Sequence, residues 1–424
     1  MIPYGKQSIS EDDIAAVVRS LRSDFLTCGP EVEAFEKEFA AFVGAKHAVA
    51  VCNATAALHL AMRVLGIGPG DRVVTSPITF VASANAAVYV GAIPDFCDID
   101  PAAGNLDPAA LEAGWKSDTN AVVAVDYAGQ PCNMPEIARI ARSHGAFVIE
   151  DACHGTGGGF QSEGRKSKLG GHPWADITTF SFHPVKTVTT GEGGVLLTEN
   201  DEWAAKARLL RTHGITRNPS EFTGLADQPL PSNSDLLSPV LAERGPWYYE
   251  MQELGYNYRI TDFQCALGRS QLKRLPEFIA RRQQIASRYN QAFSTLDWLQ
   301  TPALGRASSP DTRHQPPATD IGFAFELSDL SLHLYTLQID FPRLGKTRTK
   351  VMQELRDQGI GTQVLYIPVY LQPFYRRTYG YASGKCPNAE HFYARALSLP
   401  LYPAMSDVDV QKVIESVLMM KPLA

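Results

Sequence analysis

Between residues 47 and 200 short apolar runs alternate with amphipathic stretches: HAVAVC, DRVVTS, DFCDID, NAVVAVDYA, AFVIEDA, ITTFSF and GVLLTE. Runs this short, rich in Val, Ile and Phe and separated by helical patterns, predict a mostly parallel sheet covered by helices on both faces. One covering helix is predicted over 30–43, where Pro30 suits the first turn, Val32, Phe35, Phe39 and Phe42 recur at helical spacing, and Gly44 ends it. After residue 265 the pattern changes. A helical stretch, LPEFIARRQQIASRYNQAF, leads to a period-two run, HLYTLQID, a helix ending at Gly359 and a second strand, GTQVLYIP. A last helix is predicted from Ser406, with Asp409 closing a capping box and Val410, Val413, Ile414, Val417 and Leu418 buried. Segments 217–246 and 302–318, crowded with turn formers, predict exposed loops.

The chain has 424 residues, more than one hydrophobic core of about 250–300 residues accommodates. Two domains are expected: a large α/β domain over 1–255, with a mixed, mostly parallel sheet of seven strands, and a smaller α+β domain over 256–424. With 45% hydrophobic and 20% charged residues the sequence is that of a folded protein. Its formal net charge of -6 offers no general attraction to nucleic acid or an anionic membrane. MIPYGKQSIS lacks the apolar core of a signal peptide and no run approaches the ~18 apolar residues of a membrane span, so a cytoplasmic location is expected. Seven cysteines stand without CxxC or Cys/His spacing, which argues against a disulfide framework and against a metal site.

Ligands of open α/β sheets sit beyond the carboxyl ends of the strands, and there the chain becomes polar and specific. After AFVIE comes Asp151, then Ala152, Cys153 and His154; a carboxylate at the end of a buried strand needs a cation, and a protonated pyridine nitrogen would serve. After ITTF comes SFHPVK, ending in Lys186, then TVTTGEGG. A lysine there, beside a hydroxyl and glycines, can bring an amine to an aldehyde. After HAVAVC comes NATAAL, whose small residues open a helix; its free N–H groups and the Thr55 hydroxyl suit a phosphate. After DRVVTS, Phe80 places a ring for stacking near the same edge. Singly each has an ordinary explanation: a lysine after a strand is usually solvated, an aspartate caps a helix, a phenylalanine fills a core. Four such features at successive strand ends of one domain point to one site.

These stretches, in order from LTCGPEVEAFE through CNATAAL, TSPITFVASAN, IEDACH, SFHPVKTVTTGEGG and ELGYNYRITDFQCALG to SLHLYTLQID and LSLPLYPAMSD, resemble the DegT/StrS nucleotide-sugar aminotransferases, fold-type I pyridoxal-phosphate enzymes. The resemblance implies that Lys186 is the Schiff-base lysine and proton shuttle and that Asp151 partners the pyridinium nitrogen. It implies further that Phe80 stacks on the cofactor, that Ala54, Thr55, Ala56 and Ser181 hold the phosphate, and that His154 lies near the 3-hydroxyl. Asn257 matches a residue that reaches the cofactor of a neighbouring subunit, which implies a homodimer with shared sites. VDYAGQP, ITFVASANAAVYVGAIPDFCDID and WYYEMQELGYNYR are most similar to the branch that aminates a UDP-4-keto-6-deoxy-N-acetylhexosamine at C-4'' with glutamate, in pseudaminic acid biosynthesis. By that resemblance Tyr4, Asp24, Phe25, Leu26, Thr27, His183, His333, Leu365, Tyr366, Ile367 and Pro368 line the sugar-nucleotide site. Segment 224–243 looks like an insertion beside the Asn257 motif. Amination of another nucleotide-linked keto-sugar, at C-3'' or on another nucleotide, is the alternative; a noncatalytic regulator with the same fold is disfavoured by Lys186, Asp151, Thr55, Ser181 and Asn257 standing together. No GxGxxG follows the first strand, which argues against a nicotinamide enzyme.

Overall fold

The computed structural model describes residues 1–223, 247–305 and 322–422. The inserted segment 224–243, and most of the two expected loops, lie outside the described residues. The N-terminal part contains β1 (His47–Val51), β2 (Arg72–Thr75), β3 (Ile93–Phe96), β4 (Thr119–Val125), β5 (Phe147–Asp151), β6 (Gly159–Ser162), β7 (Arg165–Lys168), β8 (Ile177–Ser181) and β9 (Gly194–Thr198). Seven of these form one sheet in the order β1-β9-β8-β5-β4-β2-β3, while β6 and β7 make a separate hairpin. The pairs β2–β3, β2–β4, β4–β5 and β5–β8 are parallel; β1–β9 and β8–β9 are antiparallel.

Every apolar run contributes a strand, although the third strand starts ahead of its run: Ile93–Phe96 pairs with β2, and Cys97–Asp100 already belongs to the following bend. Because successive strand residues face opposite ways, the runs feed two cores. Val49, Val123, Ile149, Ile177 and Leu196 pack on the side of helix Ala54–Val64. Ala48, Ala50, Val122, Val148 and Val195 pack on the other, with helix Pro30–Val43 and helix Asp262–Phe293. Helix Pro30–Val43 has the predicted bounds: Gly44, at φ 90, caps it, and Phe39 lies 5.4 Å from Phe180 and 5.3 Å from Phe182, ring to ring. Phe42 is only partly buried, the stripe running instead through Val43.

At the free edge of β1 the backbone groups are taken by other parts of the chain. Ala50 N–H donates to Glu36 Oε1 at 2.8 Å, Arg208 and Arg211 donate to the carbonyls of Ala48 and Ala50 at 3.0 and 2.6 Å, and Cys52 N–H donates to Tyr258 O at 2.9 Å.

The C-terminal part is built on the 32-residue helix Asp262–Phe293 and a three-stranded antiparallel sheet. Its strands are β12 (Leu299–Gln300), β13 (Tyr335–Ile339) and β14 (Ala396–Leu399); the short pair β10 (Ile215–Thr216) and β11 (Glu250–Met251) precedes them. The run HLYTLQID is β13, but all five of its strand residues are buried rather than alternating. Thr336 is satisfied inside by Tyr127 and Ser398 at 3.1 and 2.9 Å. The last helix, Asp407–Leu418, has its Ser406–Asp409 capping box and buries Val410, Val413, Ile414 and Val417; Leu418, expected inside, is 42% exposed. Eight residues advance a helix to about 80° from the starting direction, so Leu418 falls at the margin of the stripe that Val417 closes.

The second strand expected at 361–368 is a correction. Beyond a single bridge between Gln363 and Ser398 the segment is irregular. Its Leu365 carbonyl accepts from the Tyr127 hydroxyl instead of from a ladder neighbour, and the segment crosses the carboxyl ends of the large sheet. The stretch before β13 also packs closely here: Gly129, at φ +93, sits where a Cβ would stand 2.1 Å from Ser331 O and 2.8 Å from His154 O, so only glycine fits.

Candidate active site

The carboxyl ends of β1, β2, β4, β5 and β8 open into one cavity of about 480 Å³. Asn53, Ala54, Thr55 and Leu58 line it from the start of helix Ala54–Val64, Thr79, Phe80 and Ser83 from the turn and helix after β2, and Asp151, Cys153 and His154 from the end of β5. Ser181, His183, Val185, Lys186 and Glu192 come from the β8–β9 connection, Tyr4 from the N-terminal segment, and His333, Leu365 and Tyr366 from the C-terminal part.

Asn53 caps the helix, its side-chain oxygen accepting from Ala56 N–H at 2.9 Å. That bond uses up the Ala56 N–H, so of the four residues read as phosphate holders Ala56 is buried out of the cavity, while Ser181 lines it and Ala54 and Thr55 line it with their N–H groups unpaired among the described residues. β9 lets this turn come close: a Cβ on Gly194 would stand 2.6 Å from Ala54 N.

Asp151 is 5% exposed. One carboxylate oxygen accepts from the Ser83 hydroxyl at 2.7 Å and the other from Cys153 N–H at 3.3 Å, and among the described residues no cation pairs with it. The Lys186 side chain lines the same cavity without a hydrogen bond or ion pair among the described residues; burial holds its ammonium below the usual lysine range, with Cys153 and Asp151 opposing the shift. The two groups the sequence singled out thus share a cavity as a carboxylate without a cation and a readily deprotonated amine.

His154 accepts from Ala128 N–H at its Nδ1, 3.3 Å away, which leaves the proton on Nε2, 3.2 Å from the Tyr366 hydroxyl. Its ring lies 4.6 Å from that of His333. Burial, reinforced by the nearby Lys186 charge, pushes both histidines well below their usual range. Because their folded values are depressed, they contribute stability that is whole above the ordinary histidine value and lost as pH falls. Thermal unfolding between pH 7.5 and 5 is therefore expected to show stability declining below about pH 6.5, by up to about 1.4 kcal/mol per pH unit for each histidine. His333→Gln should flatten that decline; an unchanged slope would remove His333 from the account.

Phe80 is 57% exposed, its ring 6.2 Å from that of Tyr366. Of the remaining predicted residues, Asp24, Phe25, Leu26 and Thr27 are exposed outside the cavity, Ile367 is exposed and Pro368 buried, and neither lines it. Asn257 is also exposed and outside, bridged to Thr212 on a loop whose neighbours Tyr256 and Tyr258 stack at 4.8 Å and bond Arg63 and His59. Sequence reading missed Thr79, Ser83 and Glu192. The spacing of Thr79 and Ser83, one helical turn, was the available signal. Among the described residues no cluster could hold a metal ion and no helix is long and apolar enough to cross a membrane.

Residues 7–418 match the DegT/DnrJ/EryC1/StrS aminotransferase family. The chain is 43% identical over 98% of its length, and 96% of the relative's, to the spore coat polysaccharide biosynthesis protein SpsC of Bacillus subtilis. It is 34% identical, over 97% of its length and 95% of the relative's, to the UDP-4-amino-4,6-dideoxy-N-acetyl-beta-L-altrosamine transaminase of Campylobacter jejuni. The PLP-form structure of the putative sugar aminotransferase Spr1654 from Streptococcus pneumoniae superposes with a TM-score of 0.80 at 27% identity, covering 98% of this chain and 97% of that one. With the strand-end residues gathered in one cavity and the match running nearly end to end, the chain belongs to the DegT/DnrJ/EryC1/StrS aminotransferase family.

Proposed function

We propose that this enzyme uses pyridoxal 5'-phosphate to move an amino group from glutamate to C-4'' of a UDP-4-keto-6-deoxy-N-acetylhexosamine, giving UDP-4-amino-4,6-dideoxy-N-acetyl-beta-L-altrosamine for pseudaminic acid biosynthesis. The observation that carries the cofactor reading is the buried Asp151 carboxylate, which has no cation among the described residues and shares its cavity with the unpaired Lys186. A protonated ring nitrogen fits the first and an aldehyde the second, while the unpaired N–H groups of Ala54 and Thr55, with Ser181, suit a phosphate. When bound, the cofactor supplies an aldehyde that takes up an amine and a ring that stores the electron pair set free at the amine carbon.

The chain's own groups do the rest. Asp151 keeps the ring nitrogen charged. Lys186, held below the usual lysine range, gives up its proton more readily than an exposed lysine, as an amine that is to hold the aldehyde must, and afterwards can take a proton from, or return one to, the carbon that bears the amine. Phe80 offers a face for stacking, and the Tyr366 hydroxyl, held by His154 Nε2, lines the same cavity. Glutamate and the keto-sugar would use the one cavity in turn, a ping-pong exchange.

The Campylobacter relative's name supports the altrosamine substrate. The higher identity to a protein named for spore coat polysaccharide favours a second reading, amination of a different nucleotide-linked keto-sugar by the same steps. Asn257, exposed outside its own cavity, is best read as offered to a second copy, which makes the functional unit a homodimer with shared sites. The test is to incubate the enzyme with glutamate, pyridoxal phosphate and the UDP-4-keto-6-deoxy sugar, and to locate the new amine by mass spectrometry and NMR. An amine at C-4'' supports the first reading. Amination only of sugars on other nucleotides, or at C-3'', selects the second, and no nitrogen transfer from glutamate to any keto-sugar would sink both.

A further inference from the structure

We infer that Ser83 and Thr79 are positioning residues for Asp151, a two-hydroxyl relay that fixes its carboxylate and keeps it aimed at the cofactor's ring nitrogen. The inference rests on the proposed cofactor and extends to two residues that the proposed chemistry does not use.

Both hydroxyls are buried, Thr79 at 3% exposure and Ser83 at 1%. Thr79 Oγ1 lies 2.7 Å from Ser83 Oγ, which lies 2.7 Å from Asp151 Oδ2. The direction of the protons follows from counting them. An ionised carboxylate only accepts, and a serine has one proton to give. Within a helix that proton ordinarily goes to a carbonyl one turn back, and here Phe80 O stands 3.4 Å away; the shorter contact to Asp151 takes it instead. Ser83 then has lone pairs free for the Thr79 proton, and the relay runs Thr79 to Ser83 to Asp151. Each donor strengthens the next, and the last pins one carboxylate oxygen in place.

Neither hydroxyl is there for the helix. Ser83 sits among alanines in Ala82–Tyr89, where alanine is the better helix former, and Thr79 precedes that helix. Other titratable groups also bear on Asp151. Lys186 reaches toward it from the β8–β9 connection, Cys153 follows it at the end of β5, Asp126 stands at the end of β4 and Tyr366 on the crossing segment. Of these, Cys153 and Tyr366 are pushed up by burial and so stay neutral, and Asp126 is likewise pushed well above the carboxylate range by burial and by Glu150. Lys186 makes no ion pair with Asp151 among the described residues. The Ser83 hydroxyl and the Cys153 N–H are therefore the direct hydrogen-bond donors that fix the carboxylate.

The experiment uses the full chain as wild type, Ser83→Ala, Thr79→Val and Thr79→Ser. Each is titrated with pyridoxal phosphate by absorbance and fluorescence across pH 5.5–9, and followed in single turnovers with glutamate. In Ser83→Ala the cofactor still binds, and its spectroscopic pH midpoint is expected to move up by about one unit, with glutamate turnover falling about tenfold, as loss of a donor to an ionised group implies. Thr79→Val should shift the same way by less, and Thr79→Ser, which restores the hydroxyl, should return to the wild-type profile. A Ser83→Ala profile that superimposes on wild type with cofactor bound, or a Thr79→Ser profile as displaced as that of Thr79→Val, would overturn the relay. Wild type that takes up no cofactor at any pH would instead overturn the cofactor reading, and this inference with it. Misfolding is separated by thermal melts of the cofactor-free proteins; should Ser83→Ala fail to fold, the Thr79 pair alone decides.

Discussion

Replacing Lys186 by alanine is expected to stop amino transfer, with single-turnover rates from glutamate lower by about 10⁴-fold or more, the upper range for a proton-transferring group that is also a covalent anchor. The reason lies in what else the cavity holds. Among the described residues Lys186 is the only lysine that lines it, and no arginine does. His154 and His333 stand close enough to be candidates for a substitute base, but neither is an amine, and His154 commits both ring nitrogens to Ala128 and Tyr366. The rate is read from the loss of the cofactor's absorbance band on adding glutamate. A small amine such as methylamine, added to the variant, should restore part of it by filling the space the side chain left. A variant within tenfold of wild type would remove Lys186 from the chemistry.

The second large effect is expected at Asp151. Asp151→Asn keeps the shape of the side chain and one acceptor but removes the charge that a protonated ring nitrogen needs. Leaving one member of a buried pair uncompensated costs about 3–5 kcal/mol, or about 10²–10³-fold and more in turnover. The opposite sign is expected for the protein without cofactor. There the carboxylate is buried with no cation among the described residues, so the amide should melt at the same temperature or higher. The substitution should therefore leave the midpoint unchanged or raised without pyridoxal phosphate and lower it with pyridoxal phosphate, because the cofactor raises the wild-type midpoint strongly and the variant's little. A variant stabilised by cofactor as much as wild type is would mean that Asp151 does not meet the ring.

Much of this was legible in the sequence because two simple periodicities carry it. The strands of the large sheet are apolar runs whose alternate residues feed opposite cores, and the residues just beyond the carboxyl ends of β1, β2, β4, β5 and β8 face the cavity. That is how Asp151, Lys186, Thr55 and Phe80 could be assembled before their distances were known. The misreadings share a cause, namely that tertiary contacts replaced local ones. GTQVLYIP has the composition of a strand, but its ladder partner is missing beyond Gln363, and Tyr127 takes the Leu365 carbonyl instead. The period-two reading of HLYTLQID failed because Thr336 is satisfied by hydroxyls brought from residues 127 and 398. Ser83 was overlooked because its one-turn spacing from Thr79 was the only signal a serine in an alanine-rich helix could carry before the β5 aspartate was seen beside it. Asn257 and Asp24–Thr27 lie outside the cavity of their own chain, and no periodicity in the sequence distinguishes an exposed loop from a cavity wall.

The side chains along β1 bear on how copies of this protein can meet. An unprotected outer strand is a template: another chain can lay its backbone along it and extend the sheet, which is the first step of many aggregates. Here an incoming strand would find the carbonyls of Ala48 and Ala50 already held by guanidinium groups and the Ala50 N–H held by a carboxylate. To dock it would have to expel Glu36 from a site where that residue is 8% exposed and ion-paired to Arg211. Growth of the sheet in that direction is closed while helix Pro30–Val43 stays folded. Glu36→Ala, in loosening that clamp, should therefore turn a well-behaved protein into one that forms thioflavin-positive assemblies on gentle heating, before its active site is disturbed.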